Sequence, residues 1–425
     1  MLNAESTAAI EIGLASPDGS LRGWESAFAE VRDQLVPAFV QGTLGRFEDA
    51  FISQGCGPRG RPDRRDGPFA CPRCGARSGF RRRGRRRRTV HCRLGRLRLV
   101  LQMVGCGCGH RFAPLLLALG IAPHRRVGPG LERRALELCS ELPYRRAAAQ
   151  LWREAGTAPS PRSLGRLVRR AATAIDLARP RPPLRELEAV LVDGTRLRAG
   201  PRKGRDDRGR ELKIAIGLRR AGPARIELLG AVLAQGWDAL RPALRSARHA
   251  AIAVTDGEWG VRAALASALP DVPHQVCTFH VRDSLDHRLW QDGLRFAARR
   301  ALARAVGNAI EFAPTALDAE AALDAALAMA EGHRWRHAAT HLREVRPHIA
   351  TWLRVDPSGA IAHTTSLLER TMREVNRRVD PVGVRWSLSG AEAIVSVLLA
   401  RRFSHPRWRR LCEDRGRTRA WARIR

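Results

Sequence analysis

Three carboxylates stand in local frames that suit chemistry. Asp193 closes the apolar run AVLVD and Asp256 closes AIAVTD, each followed by glycine, while Glu369 lies in the basic amphipathic stretch HTTSLLERTMREVNRR. An apolar run that stops at an acid and a glycine reads as a buried strand delivering that acid to a sheet edge. Two strand-end aspartates joined by a helix glutamate make an all-oxygen pocket, a donor set that suits Mg²⁺ or Mn²⁺ better than zinc. On a very basic chain, that chemistry points to metal-dependent phosphoryl transfer on nucleic acid. Each acid also has a plainer reading. Asp193 and Asp256 can be ordinary turn residues beside glycine. Glu369 can pair with Arg373 one turn on, and Glu374 is its rival on the same helix.

A second set of chemistry-bearing residues lies upstream. Cys71-Pro-Arg-Cys74-Gly has the turn pattern of a zinc knuckle, and two β-like runs (RRTVHC and LRLVLQMV) lead to Cys106 and Cys108. Four thiolates at two turns tied by a hairpin form a closed structural Zn²⁺ site. The second pair is Cys-x-Cys rather than Cys-x-x-Cys, so His110, Cys92 or His91 can replace one thiol. Seven of the eight residues from Arg81 to Arg88 are arginine; they read as a solvated loop or, beside a zinc ribbon, as phosphate contacts.

The 425 residues carry 75 basic against 42 acidic side chains, a net charge of +33. Lys203 and Lys213 are the lysines, so the positive charge is almost entirely arginine. An excess of this size favours a polyanionic partner, here double-stranded DNA. No apolar run approaches the roughly 20 residues that span a bilayer, and the N-terminus lacks a basic-then-apolar leader pattern. A cytoplasmic protein without a membrane partner is expected, in which nine cysteines serve as thiols and metal ligands rather than disulfides.

The elements that must position these residues follow from pattern. Residues 1–55 read as a helical segment ending in a Gly/Pro/Arg-rich linker (54–68), 56–120 as the zinc-ribbon-like unit, and 121–183 as helices. Among the latter, Gly156 caps one helix and Ser160 or Ser163 with Pro161 opens the next, as in a helix-turn-helix. Arg162, Arg166, Arg169 and Arg170 fall on or near its second helix as DNA-binding candidates. From 184 to 284 three strands in meander are followed by a helix around WDALRPALRSA, a strand, a helix and the strand HQVCTFH. That order is the α/β arrangement of a ribonuclease-H-like mixed sheet. An Ala-rich, all-helical insertion occupies 285–355, the second part of the catalytic domain 356–403, and a basic tail 404–425.

These residues together resemble DDE transposases of the Mutator-like superfamily, including bacterial insertion-sequence relatives. The similar elements are VTDGEWGVRAAL, Cys277-Thr-Phe-His280, and the run from Thr364 through Glu369 and Arg370 to Arg373, Arg377 and Arg378. The likeness is strong over about 190–400 and looser over the N-terminal ribbon and helices. The resemblance implies Asp193, Asp256 and Glu369 as the catalytic acids holding two Mg²⁺ (or Mn²⁺) ions, with Asp193 shared between them. It implies that Cys277 and His280 shape the site or contact DNA, and that Arg370, Arg373, Arg377 and Arg378 touch phosphates. It also implies end cleavage by water, then 3′-OH strand transfer into target DNA by a homo-oligomer associated with a bacterial nucleoid. The alternatives are a ribonuclease-H-like nuclease or resolvase without strand transfer, and a domesticated DNA-binding regulator. Trp259, just past the DG turn, can stack on an unpaired base, although packing is the ordinary role of tryptophan.

Overall fold

In the computed structural model, residues 21–57, 66–180, 182–201, 209–219, 226–380 and 385–413 are described. The first 20 residues, the middle of the linker (58–65), Lys203 and the end of the basic tail (414–425) lie outside them. The chain divides into two compact units, Met1–Arg170 with Arg409–Arg425, and Ala171–Trp408. Among the described residues no helix is long and apolar enough to cross a membrane.

The first unit begins with α1 (Leu21–Ser53), which continues through Pro37. It lies on an antiparallel hairpin of β1 (Arg81–Cys92) and β2 (Gly95–Gly105), to which the two-residue β3 (Arg111–Phe112) adds an edge. β2 alternates buried and exposed residues, as a sheet with one covered face requires. Leu97, Leu99 and Leu101 point inward with Val90, against Val40 and Leu44 of α1. The arginine run is therefore strand rather than loop: all seven arginines lie on β1, whose register slips between Arg82 and Arg85. With so little apolar content, this half of β1 is held by its ladder to β2 rather than by side-chain burial. Short α2 (Pro114–Ala118) and then α3 (Pro129–Glu141), α4 (Tyr144–Ala155) and α5 (Pro161–Ile175) complete the unit, the division falling within α5. Gly156 ends α4 at φ 57°, and Ser160 Oγ accepts from the Ser163 N–H at 3.3 Å to open α5, as expected of a C′ glycine and an N-cap serine.

The second unit is a mixed α/β structure. β4 (Leu187–Leu197), β5 (Arg210–Arg219) and β6 (Ile226–Leu233) form an antiparallel meander, and β7 (Ile252–Thr255) and β8 (His274–Val276) add in parallel on the far side of β4. The order across the sheet is β6-β5-β4-β7-β8. The segment WDALRPALRSA is not one helix but two 3₁₀ turns flanking the four-residue α6 (Arg241–Leu244), because Pro242 starts a new helical turn and cannot donate to an earlier one. α6 and α7 (Trp259–Ala268) cover one face of the sheet, burying Leu244, Val261 and Leu265 against Val190, Val192 and Val232.

Helices then run from α8 (Thr278–Gln291) through α9 (Phe296–Glu311), α10 (Ala316–Gly332), α11 (Arg336–Val345) and α12 (Thr351–Val355). The helical stretch thus starts seven residues before the expected 285, at the end of β8. Buried Gln275 ties its far end back to the sheet, donating to the Ile349 carbonyl at 2.9 Å and accepting from the Trp352 N–H at 3.1 Å. α13 (Ser366–Val379), α14 (Leu388–Arg402) and α15 (Pro406–Glu413) close the chain. α13 packs on β4 and α14 on β6. The Asn376 amide of α13 donates to Thr195 Oγ1 of β4 at 3.3 Å, and Asp380 accepts from the Arg198 N–H at 2.8 Å.

Candidate active site

Strand alternation decides where the aspartates go. Val190 and Val192 face the α7 core, so Leu191, Asp193 and Thr195 face the opposite side, where Thr195 meets α13. β4 and β7 pair in parallel with Val192 opposite Thr255, so Asp193 stands level with Asp256; only Asp256 ends its strand, because β4 runs on past Asp193 to Leu197 through its ladder with β5. Asp193 is 3% exposed and accepts from the Gly194 N–H at 2.7 Å. Burial is the main cause that pushes its carboxyl up to about 6, and Asp256 pushes the same way. His280, the Gly194 N–H and the Thr365 hydroxyl act in the opposite sense. Asp256 sits just beyond the end of β7 and accepts from the Glu258 N–H at 3.0 Å, which fixes the turn into α7. A Cβ on Gly194 would stand 2.7 Å from Glu211 Oε1 on the neighbouring strand, so a larger residue there would displace that carboxylate.

Cys277 and His280 are not at the end of a strand, where the pattern of HQVCTFH puts them. β8 stops at Val276, Cys277 is the residue before α8, and His280 lies in its first turn. Helical spacing then stacks their side chains on one face, which an extended Cys-x-x-His could not do. Thr365, 0% exposed, completes the cluster. Its N–H meets Cys277 Sγ at 3.3 Å, and its Oγ1 lies 3.3 Å from His280 Nδ1. Burial alone would lower the imidazole, but Cys277 and the charges of Asp193 and Asp256 outweigh it and raise His280 to about 9. Burial alone would raise the Cys277 thiol, but His280 and Thr365 bring it below its ordinary value. An imidazolium at His280 can donate to Thr365 Oγ1, whose own hydroxyl donates to Cys277 Sγ at 3.5 Å. His280 is thus a fixed positive charge beside two acids.

Glu369 lies in the first turn of α13, with its N–H bonded to the Thr365 carbonyl at 3.1 Å. It is half-buried and one turn from the threonine that reaches Asp193. Its rival Glu374 is paired with Arg402 of α14. Arg370, Arg373 and Arg377 are exposed, whereas Arg378 is 6% exposed with its guanidinium over the Trp386 ring at 5.2 Å. Arg378 therefore packs α13 against the loop before α14 instead of facing a phosphate. On α5, Arg162, Arg166, Arg169 and Arg170 are all exposed while Leu164, Leu167 and Val168 are buried, so the four cations share the outer face.

The cysteine cluster forms as the spacing predicts. Sγ of Cys71 lies 3.7 Å from that of Cys108, and Sγ of Cys74 lies 3.6 Å from that of Cys106. A tetrahedral ion with bonds of about 2.3 Å needs sulfurs about 3.8 Å apart, so the set can hold a metal such as zinc. Each pair sits on a turn closed by a glycine at positive φ, Gly75 at 76° and Gly109 at 83°. The three substitute ligands are engaged elsewhere. His91 Nδ1 meets Thr157 Oγ1 at 2.6 Å, Cys92 donates to the Gly95 carbonyl, and His110 stacks on Phe112. Among the described residues this is the one group of three or more His, Cys, Asp or Glu ligands whose donor atoms all lie within 4.8 Å of one another. The carboxylates of Asp193, Asp256 and Glu369 do not close to that spacing.

Two features near the acids, Thr365 and Lys213, were not legible. Thr365 stands in the quoted frame, but nothing in the sequence marks it as the buried hub. Lys213 is 5% exposed, paired with Glu211, and 4.9 Å from the Trp237 ring centroid; its signal was its rarity in an arginine-rich chain. Trp259 is 80% exposed, so packing, its ordinary role, is not what it does. Its neighbour Glu258 is exposed and accepts from Trp237 Nε1 at 3.2 Å.

The family model described as "Transposase, Mutator family" matches residues 70–408, about four-fifths of the chain. No curated protein matches it.

Proposed function

From the premise that this chain belongs to the Mutator family of transposases, we propose that it is a DDE-type enzyme that cuts and joins DNA at Asp193, Asp256 and Glu369. The observation that carries the reading is the register of β4 and β7, which sets Asp193, within β4, level with Asp256 just beyond the end of β7. The sheet order and the helical insertion between the second and third acids support a ribonuclease-H-like catalytic domain.

The donor set fits divalent ions. Asp193 is a buried carboxylate level with Asp256, and burial leaves it short of the solvation that a bound cation would replace. Asp193, Asp256 and Glu369 would hold two Mg²⁺ or Mn²⁺ ions, which when bound activate the attacking oxygen and neutralise the leaving one in an in-line displacement at phosphorus. The chain itself supplies no nucleophile. Its residues place the acids, exclude water from the Asp193 side through α13, and balance charge with His280. Water attacks first to free a 3′-OH at the element end, and that hydroxyl then attacks target DNA. Arg370, Arg373 and Arg377 line the exposed side of α13 as phosphate contacts. Trp259 is available for stacking on an unpaired base beside the Asp256 turn.

In the first unit the four cysteines hold Zn²⁺ as a structural ion. The α4–turn–α5 pair acts as a helix-turn-helix that presents Arg162, Arg166, Arg169 and Arg170 to double-stranded DNA. Two element ends must be held together, so the working form is a homo-oligomer.

The test is strand transfer with a pre-cut element end and Mg²⁺. Joined product that disappears in Asp193→Asn, Asp256→Asn and Glu369→Gln supports the reading. Cleavage without joining would assign a nuclease or resolvase, and DNA binding with neither activity a regulator.

A further inference from the structure

We propose that the first unit contains a nucleotide pocket, an apolar cavity rimmed by arginines that receives a nucleobase and its phosphate. A cavity of about 520 Å³ opens between the hairpin, β3, α2 and the loop that follows. That volume lies within the roughly 300–1,000 Å³ typical of small-molecule sites. Its floor is apolar, built from Leu101, Leu116, Ile121 and Phe112, all buried in the unit's core. A duplex offers such a floor little, since its outer surface is sugar and phosphate. A flat ring turned out of the helix would fill it, and Phe112, with the parallel His110 ring 6.0 Å away, provides aromatic surface for stacking.

The rim sets the sign of the ligand. Arg86, Arg88, Arg111 and Arg126 border the cavity, and among the described residues no acidic side chain lines it. Among the same residues none of these four arginines has an ion-pair partner. The nearby acids are engaged, Glu132 with Arg125 at 3.1 Å and with Arg170 at 3.8 Å, and Asp49 with Arg85 at 3.6 Å. Burial, Arg86 and Arg126 all hold the Arg88 guanidinium below its ordinary value, which marks crowded positive charge that an anion would relieve. Arg88 is meanwhile held in place by the Arg125 carbonyl. An anionic lipid shares the head-and-tail character, but the aromatic pair and the arginine-lined strand β1 leading to the rim favour a base and a sugar-phosphate strand.

The proposal rests on the reading above only for the source of the nucleotide, an unpaired residue of a DNA strand rather than a free mononucleotide. The test uses the full-length protein with three fluorescent duplexes: fully paired, carrying one extrahelical nucleotide, and carrying an abasic residue at that place. Free dAMP and dodecyl phosphate are titrated separately. The extrahelical base is expected to bind about tenfold or more tighter than either control, from one stacked base. Leu117→Trp, at a half-buried lining position, should abolish that preference and leave paired-duplex affinity within about twofold. The exposed-rim variant Arg126→Glu should abolish the preference as well, with a loss of affinity shared by all three duplexes, if Leu117→Trp fails to fold. Saturable dAMP binding that disappears in these variants, without any extrahelical preference, keeps the pocket and changes the source. Equal binding of all three duplexes with no dAMP binding overturns the proposal. So does a preference that survives both variants, or dodecyl phosphate binding in place of nucleotide. Any of these failures leaves Asp193-dependent strand transfer untouched, so the two readings fail separately.

Discussion

Lowering the pH from 8 to 5 should weaken divalent-cation binding at the carboxylates about tenfold. Asp193 must be ionised to hold a cation, and burial with Asp256 raises its pKa to about 6. At pH 8 it is almost fully ionised, whereas at pH 5 only about one molecule in eleven carries the charge, and apparent affinity falls in proportion. An aspartate at the ordinary value of about 3.9 would remain more than nine-tenths ionised at pH 5 and show almost no loss. His280, raised to about 9, keeps its charge throughout this range and does not confuse the reading. The assay is calorimetric titration of Mn²⁺ into the protein at pH 5, 6, 7 and 8, with Asp193→Asn as the control for binding elsewhere. His280→Asn removes a charge that lowers the Asp193 pKa, so its loss of affinity should begin at higher pH. An affinity that changes less than about twofold between pH 8 and pH 5 would refute the argument that a desolvated Asp193 is a metal ligand.

Other outcomes follow from separate parts of the molecule. Glu48 on α1 is 4% exposed, accepts from the Gln102 N–H at 3.0 Å, and is raised mainly by burial to about 7. Its neutral form therefore stabilises the fold fully below about pH 4.5, and that contribution is lost as pH rises through 7, about 2–3 kcal/mol in all. Glu48→Gln should raise the melting temperature at pH 8 and leave it unchanged near pH 4.5. Chelation of zinc, or Cys71→Ser, should lower the melting temperature of the first unit by more than about 10 °C, because the metal contributes folding energy directly; scanning calorimetry would show the second unit's transition unmoved. Trp259→Ala should leave thermal stability within about 0.5 kcal/mol, as for an exposed side chain, and reduce strand transfer about tenfold or more because an unpaired base has no ring to stack on. Replacing Arg162, Arg166 and Arg169 together by alanine should flatten the dependence of log affinity on log salt by about 0.9 for each phosphate that the protein no longer neutralises.

The sequence carried the sheet because apolar periodicity is a local signal, although β4 runs on past Asp193 to Leu197 through its pairing with β5. The apolar runs before Asp193 and Asp256, and the meander between them, correspond to β4 through β7. The caps at Gly156 and Ser160 were equally legible, since each depends on one residue's backbone preference or one hydroxyl. What escaped was decided by tertiary contacts. The five arginines from Arg81 to Arg86 have no apolar pattern, so only pairing with β2 reveals that they extend the strand. Cys277 and His280 have the same spacing in strand or helix notation, and the end of β8 at Val276 determines which applies. Glu369 and Glu374 are indistinguishable by composition until Arg402, distant in the chain, pairs with one of them. Arg378 looked like its neighbours because nothing local announces the Trp386 ring beneath it.

The most direct test is the location of bound ions. Crystals grown or soaked with Mn²⁺ and a pre-cut DNA end should show two anomalous peaks about 3.5–4 Å apart, with carboxylate oxygens of Asp193, Asp256 and Glu369 all in the coordination shells. Ions coordinated without Asp193, or a Glu369 carboxylate that stays outside both shells while joining proceeds, would contradict the account.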